Sequence, residues 1–224
     1  MKAFFPATAI VLVVYVWLGY SMNHLKDPIL AMAVYYPVIC LGGGFLIRKF
    51  GIAGHGKKVD PAGGPRENVI RTVALSLIGT ALLWSSVLLF RPGLVDPDIL
   101  ANRLAAYGLN KGDFWLVAWM VVLINPVLEE YLWRYALLPL LADRFRGGIA
   151  VNISALLFAG YHPIVVAGMF PAVWLIAVFL IVYAGGVALA SLFLRTRNLL
   201  YPIAFHMIVN VNIMLMGYLY APKA

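Results

Sequence analysis

Charge is scarce in this chain. Of 224 residues only 12% are Asp, Glu, Lys or Arg, against 63% hydrophobic. A soluble domain must cover its exterior with polar side chains, so this composition, with a mean hydropathy of +0.91, excludes that class and points to a polytopic helical membrane protein. Cysteine is nearly absent. Cys40 stands alone, so no intrachain disulfide and no thiolate metal site can form. It lies in an apolar run and reads as packing, with a catalytic thiol as the alternative. No internal repeat and no low-complexity tract interrupt the sequence, which reads as a single integral membrane domain, 1–224. Acidic residues number nine against seventeen Lys and Arg, a formal net charge of +8. In a soluble protein that excess would suggest nucleic acid. Here the cations lie mostly between apolar runs, where the positive-inside rule accounts for them without a nucleic-acid partner.

Seven apolar runs reach or approach the roughly 20 residues of a bilayer crossing. They cover 4–21, 28–47, 69–90, 114–141, 149–162, 164–194 and 199–220. The expected fold is all-α, a polytopic transmembrane bundle of seven spans, with an eighth crossing hidden in 149–194 as the alternative. The sixth run contains Pro171 and Gly185-Gly186, candidate points for a break or tilt. The first run follows Lys2 as a signal peptide would. It ends in Leu18-Gly19-Tyr20-Ser21-Met22-Asn23, without a small-x-small cleavage site, and reads as an uncleaved span.

Orientation follows from the basic residues. Lys2, then Arg48, Lys49, Lys57, Lys58, Arg66 and Arg71, then Arg144 and Arg146, then Arg195 and Arg197 all fall on one side. Lys26, Arg91, Arg103, Lys111 and Lys223 fall on the other. The excess places the N-terminus in the cytoplasm, and in a prokaryote the membrane would be the plasma (inner) membrane. The loop 48–71, rich in Gly, Pro and Lys, reads as a solvated connection that can also touch anionic headgroups.

Against this apolar background the fourth run holds Glu129-Glu130-Tyr131-Leu132-Trp133-Arg134. Each such charge at a bilayer centre costs roughly 2.5–3.5 kcal/mol on insertion scales, and intramembrane ionisable residues are by default functional. Glu130 and Arg134, spaced i,i+4, can meet on one helix face. Glu129 lies about 100° further round, so one acid can be held by the arginine while the other stays free for proton transfer. Pro126 just upstream removes a backbone donor and favours a kink. A purely structural ion pair explains one acid and one base; a second, adjacent acid is left over.

Two of the four histidines lie in or beside spans. His162 ends the fifth run in Phe158-Ala159-Gly160-Tyr161-His162, and His206 lies in the last, four residues before Asn210. Taken singly, the first reads as a helix-end residue and the His–Asn pair as interhelical glue. His24 and His55 fall in loops and read as inert. Bundled together, two carboxylates, two imidazoles, a carboxamide and a guanidinium are the parts of a water-activating hydrolytic site. Glu129, His162 and His206 could instead ligate a divalent metal, although the His-Glu-x-x-His signature is missing.

Glu-Glu-x-x-x-Arg, Phe-x-x-x-His and His-x-x-x-Asn, in that order on separate membrane helices, resemble the CPBP family of CAAX-processing and bacteriocin-processing intramembrane endopeptidases, including the type II CAAX prenyl endopeptidases. The resemblance covers about 114–215. It implies a glutamic rather than a metallo peptidase, with no cofactor. Glu129 and His162 would activate the attacking water, and His206 and Asn210 would stabilise the oxyanion. Glu130 and Arg134 would organise the site, and Phe158 would shape the pocket. Choosing Glu129 over Glu130 as base rests on the resemblance, since spacing leaves them equal. Many members carry Gly after the motif arginine, whereas Tyr135 stands here and would narrow that face. The chain divides into N-terminal spans expected to vary among members, 1–113, and catalytic core spans, 114–220.

The substrate implied is a membrane-anchored protein or peptide cut near its anchor, prenylated or not, with membrane lipids as the other partner. Two further readings use the same residues: a non-catalytic bacteriocin-immunity or binding protein, and a proton-coupled transporter relaying through Glu129, Glu130 and His162. On an ideal helix His162 lies about 20 Å from Ile149, too deep to join a site reached from the basic side.

Overall fold

The computed structural model describes residues 4–50, 62–94, 97–106, 111–167 and 170–220. His55, Lys2, Lys57, Lys58 and Lys223, used above, lie outside them. Among the described residues all regular structure is helical. Seven helices are long and apolar enough to cross a membrane: Phe5–Leu25, Pro28–Phe50, Pro65–Ser85, Phe114–Arg144, Gly147–Val166, Ala172–Thr196 and Leu200–Leu219. We call them the first to seventh spans. The chain is an integral, multi-pass membrane protein. Its exterior is apolar, as lipid requires: Leu77 is 66% and Ile176 63% exposed.

The expected spans agree with these helices to within a few residues at most ends. One element goes unannounced, a short helix at Pro97–Ala106 between the third and fourth spans. The sixth run proves to be a single crossing. Pro171 stands just before its helix, in the N-cap position where a fixed extended conformation starts the chain rather than breaking it. Gly185-Gly186 sit in an unbroken helix, and the role of Gly186 is packing. A Cβ on Gly186 would stand 3.2 Å from Ala155 Cα and 3.3 Å from the Phe158 ring, so the missing side chain lets the fifth and sixth spans approach closely. Gly186→Val should therefore cost about 1–3 kcal/mol through overpacking. It should also displace Phe158, seen as a lower Tm together with reduced activity.

The main core gathers where the first, second, fourth, fifth and sixth spans converge. It includes Val14, Ile39, Cys40, Leu132, Trp133, Leu138, Phe158 and Leu189, all nearly inaccessible. Cys40 is buried there, as expected of a packing residue. A smaller cluster of Met22, Ala31, Leu104, Phe114, Val117 and Ala118 ties the short helix to the bundle.

The fourth span is not a uniform α-helix. It widens to i→i+5 hydrogen bonding at Met120–Ile124 and again at Tyr131–Leu137. Between the two lies the regular segment Asn125–Glu130. Such wide turns recur at functional sites. Here a proline follows each closely. The Asn125 N–H bonds to the Met120 carbonyl. Continuing that register would give Val121 the N–H of residue 126, but Pro126 has none. The Val121 carbonyl is instead taken by the Asn210 side chain of the seventh span at 2.8 Å. A buried carbonyl without a partner is costly, so the proline and the asparagine together fix the seventh span against the fourth.

Candidate active site

The two glutamates occupy the end of that regular segment, Glu129 2% and Glu130 0% exposed. Their surroundings differ. Glu130 Oε1 lies 3.2 Å from Arg134 Nη1 with both side chains fully buried. The angle is not that of a hydrogen bond, and the three guanidinium nitrogens have no such partner, so the attraction is that of an ion pair. The guanidinium also lies over the Phe158 ring, its Cζ 4.2 Å from the centroid. That placement is a cation–π contact, strengthened where water is excluded. The same Glu130 oxygen lies 2.9 Å from His206 Nδ1. Because a carboxylate only accepts, Nδ1–H is the donor, and Nε2 is left facing Glu129.

Glu129 has no cation at hydrogen-bond distance. Its Oε1 accepts from the Tyr35 hydroxyl at 2.8 Å and from the Tyr161 hydroxyl at 2.6 Å. Its Oε2 has no hydrogen-bond partner within the protein and stands 3.9 Å from His206 Nε2. A carboxylate clamped at one oxygen presents the other as a single directed base. Glu130 Oε2 is likewise without a partner, but its carboxylate is already committed to an arginine and a histidine.

Phe158 and His162 join this pair through Arg134 and Tyr161. His162 directs Nδ1 to the Phe158 carbonyl at 2.9 Å, which makes Nδ1 the donor and leaves Nε2 free to accept. Its ring stacks on Tyr161 at 4.2 Å and meets Phe158 edge-on at 4.8 Å. Tyr161 bonds Glu129 directly, so the end of the fifth span reaches the level of the glutamates and the depth discrepancy expected for His162 disappears. The Phe158 ring also meets His206 edge-on at 6.0 Å; this one side chain touches Arg134, His162 and His206. Asn210, 6% exposed, has one amide hydrogen committed to Val121. Tyr135 is 37% exposed, stacked on Tyr131, with Arg48 over its ring. His24 lies exposed against Tyr20.

Of the alternative metal set, Glu129 Oε2 and His206 Nε2 stand 3.9 Å apart, and His162 keeps Nε2 free while Nδ1 bonds its own helix; among the described residues no group of three His, Cys, Asp or Glu is arranged to hold a metal ion.

Tyr35 and Tyr161 were missed in the sequence. Tyr161 stands inside the Phe158–His162 motif, and Tyr35-Tyr36 is a pair of phenols in an otherwise aliphatic run. A buried phenol needs a partner, and that was the available signal. Tyr161→Phe should lower kcat by about 10–100-fold, the weight of one hydrogen bond to a charged group, with KM little changed. Tyr35→Phe should act in the same direction. Steady-state kinetics of both, with Tyr36→Phe as the control, test this.

A family model described as type II CAAX prenyl endopeptidase Rce1-like matches residues 111–212. That segment, just under half of the chain, is similar to the CAAX endopeptidase family. It contains every one of the residues just described except Tyr35, Arg48 and the N-terminal spans' contributions. No curated protein and no solved structure matches the chain.

Proposed function

We propose that the chain is a glutamate-dependent intramembrane endopeptidase in which Glu129, assisted by His162, activates water. The observation that carries this reading is the asymmetry of Glu129, whose Oε1 is held by two phenols while Oε2 has no partner in the protein. Water at Oε2 gives up a proton as its oxygen attacks the scissile carbonyl. The tetrahedral oxyanion takes hydrogen bonds from His206 and Asn210. As a donor there His206 must carry its second proton, since Nδ1–H is already given to Glu130. The proton taken by Glu129 passes to the leaving amine when the C–N bond breaks. Glu130 and Arg134 hold His206 and Phe158 in place, and no metal takes part.

The substrate is a membrane-anchored protein or peptide, cut near its anchor, because the glutamates lie inside a membrane span and the scissile bond must enter the bundle to meet them. The test is substrate trapping in the native host. Wild type and Glu129→Gln are expressed side by side, and membrane-anchored proteins are compared by mass spectrometry. Uncut precursors should accumulate only with the variant. No difference, with both proteins folded and present, would move the assignment to a binding or immunity protein or to a proton-coupled transporter.

A further inference from the structure

Away from the glutamates, a trough of about 310 Å³ runs between the third and sixth spans. Its walls are two helical stripes of identical spacing: Arg71, Ala74, Leu75 and Ile78 on one helix, Ala188, Ser191, Leu192 and Arg195 on the other. The start of the third span lies beside the end of the sixth, where the Ala62 N–H bonds the Arg195 carbonyl. The helices therefore run antiparallel, and both arginines stand at the same end of an otherwise almost wholly apolar trough. Each marks the edge of the membrane on its helix. No charged residue occurs from Thr72 to Phe90, nor from Ala172 to Leu194.

The charges at the mouth do not balance. Glu67 Oε1 alone receives both guanidiniums, from Arg71 at 3.0 Å and from Arg195 at 2.7 Å. One carboxylate against two arginines leaves a positive charge, and the Arg195 Nε is buried without a hydrogen-bond partner. Guanidinium forks suit phosphate oxygens, and basic pockets between membrane helices bind anionic headgroups. The apolar stripe beyond the arginines rises roughly 10 Å along the helices, enough for part of one acyl chain. We propose that this trough is a binding site for an anionic phospholipid, its phosphate on Arg71 and Arg195 and one acyl chain between the two spans.

The test uses the full chain purified in detergent, with equimolar phosphatidylglycerol and phosphatidylcholine, read by native mass spectrometry. Phosphatidylglycerol should be retained by about five-fold over phosphatidylcholine, the weight of the one uncompensated basic residue near an anionic headgroup. The double variant Arg71→Gln/Arg195→Gln should lose that preference. Ala74→Trp, which fills the trough and keeps both arginines, should lower phosphatidylglycerol retention too. Arg66→Gln, an exposed arginine outside the trough, should change neither. Equal retention of the two lipids by the wild type, or a preference that survives either trough variant, overturns the proposal. The readout does not depend on proteolysis, so it stands or falls separately from the proposed activity.

Discussion

Glu129→Gln is expected to abolish detectable cleavage, a fall in kcat of about 10²–10⁴-fold for loss of a positioned general base, in a protein that still inserts and folds. The substitution is nearly isosteric. The amide oxygen can still accept from Tyr35 and Tyr161, which now donate to Oε1 at 2.8 and 2.6 Å. What disappears is the basic oxygen facing His206. The effect should therefore fall on kcat, with little change in Tm. His162→Ala and His206→Ala should be similarly inactive, the first through loss of the partner that orients water and the second through loss of the oxyanion donor. The check is turnover of a membrane-anchored peptide in proteoliposomes, alongside Tm for each variant. Near-normal turnover in any of the three overturns the mechanism.

The largest stability effect is expected at the neighbouring pair. Glu130→Gln leaves the fully buried Arg134 without its only ion-pair partner among the described residues. Arg134→Ala leaves Glu130 with His206 alone and empties the space over Phe158. Stranding one member of a buried pair typically costs about 3–5 kcal/mol, mostly the penalty of an uncompensated charge. For a chain of this size that is a drop of about 6–20 °C in Tm. The double variant Glu130→Gln/Arg134→Met should be less destabilised than the sum of the singles, because it removes both charges together. Thermal unfolding in detergent measures all of these. Unchanged Tm in both single variants would contradict the pairing.

These two neighbours also show what a sequence can convey. Their difference in surroundings was open from spacing alone, since both lie on one helix in one run. It becomes visible only when the second and fifth spans supply Tyr35 and Tyr161, contacts 94 and 32 residues away along the chain. The seven spans were legible because lipid demands long apolar runs, and the Glu130–Arg134 contact because i,i+4 spacing constrains it locally. The wide turns of the fourth span were not. Pro126 announced a disturbance, but the shift of register at Met120–Ile124 and its repair by Asn210 depend on the seventh span. Gly186 was misread for a related reason. A glycine within a helix looks like a weak point until the neighbour that needs the space, here Phe158, is in view.

The central claim is peptide hydrolysis by a glutamate-activated water without a metal. The most direct measurement is cleavage of a membrane-anchored peptide by the purified chain, reconstituted in liposomes after exhaustive treatment with a chelator. The account expects unchanged cleavage in the stripped protein and none in its Glu129→Gln variant. Cleavage that vanishes on stripping and returns only with an added divalent ion, or a folded wild-type protein that cuts nothing, would contradict it.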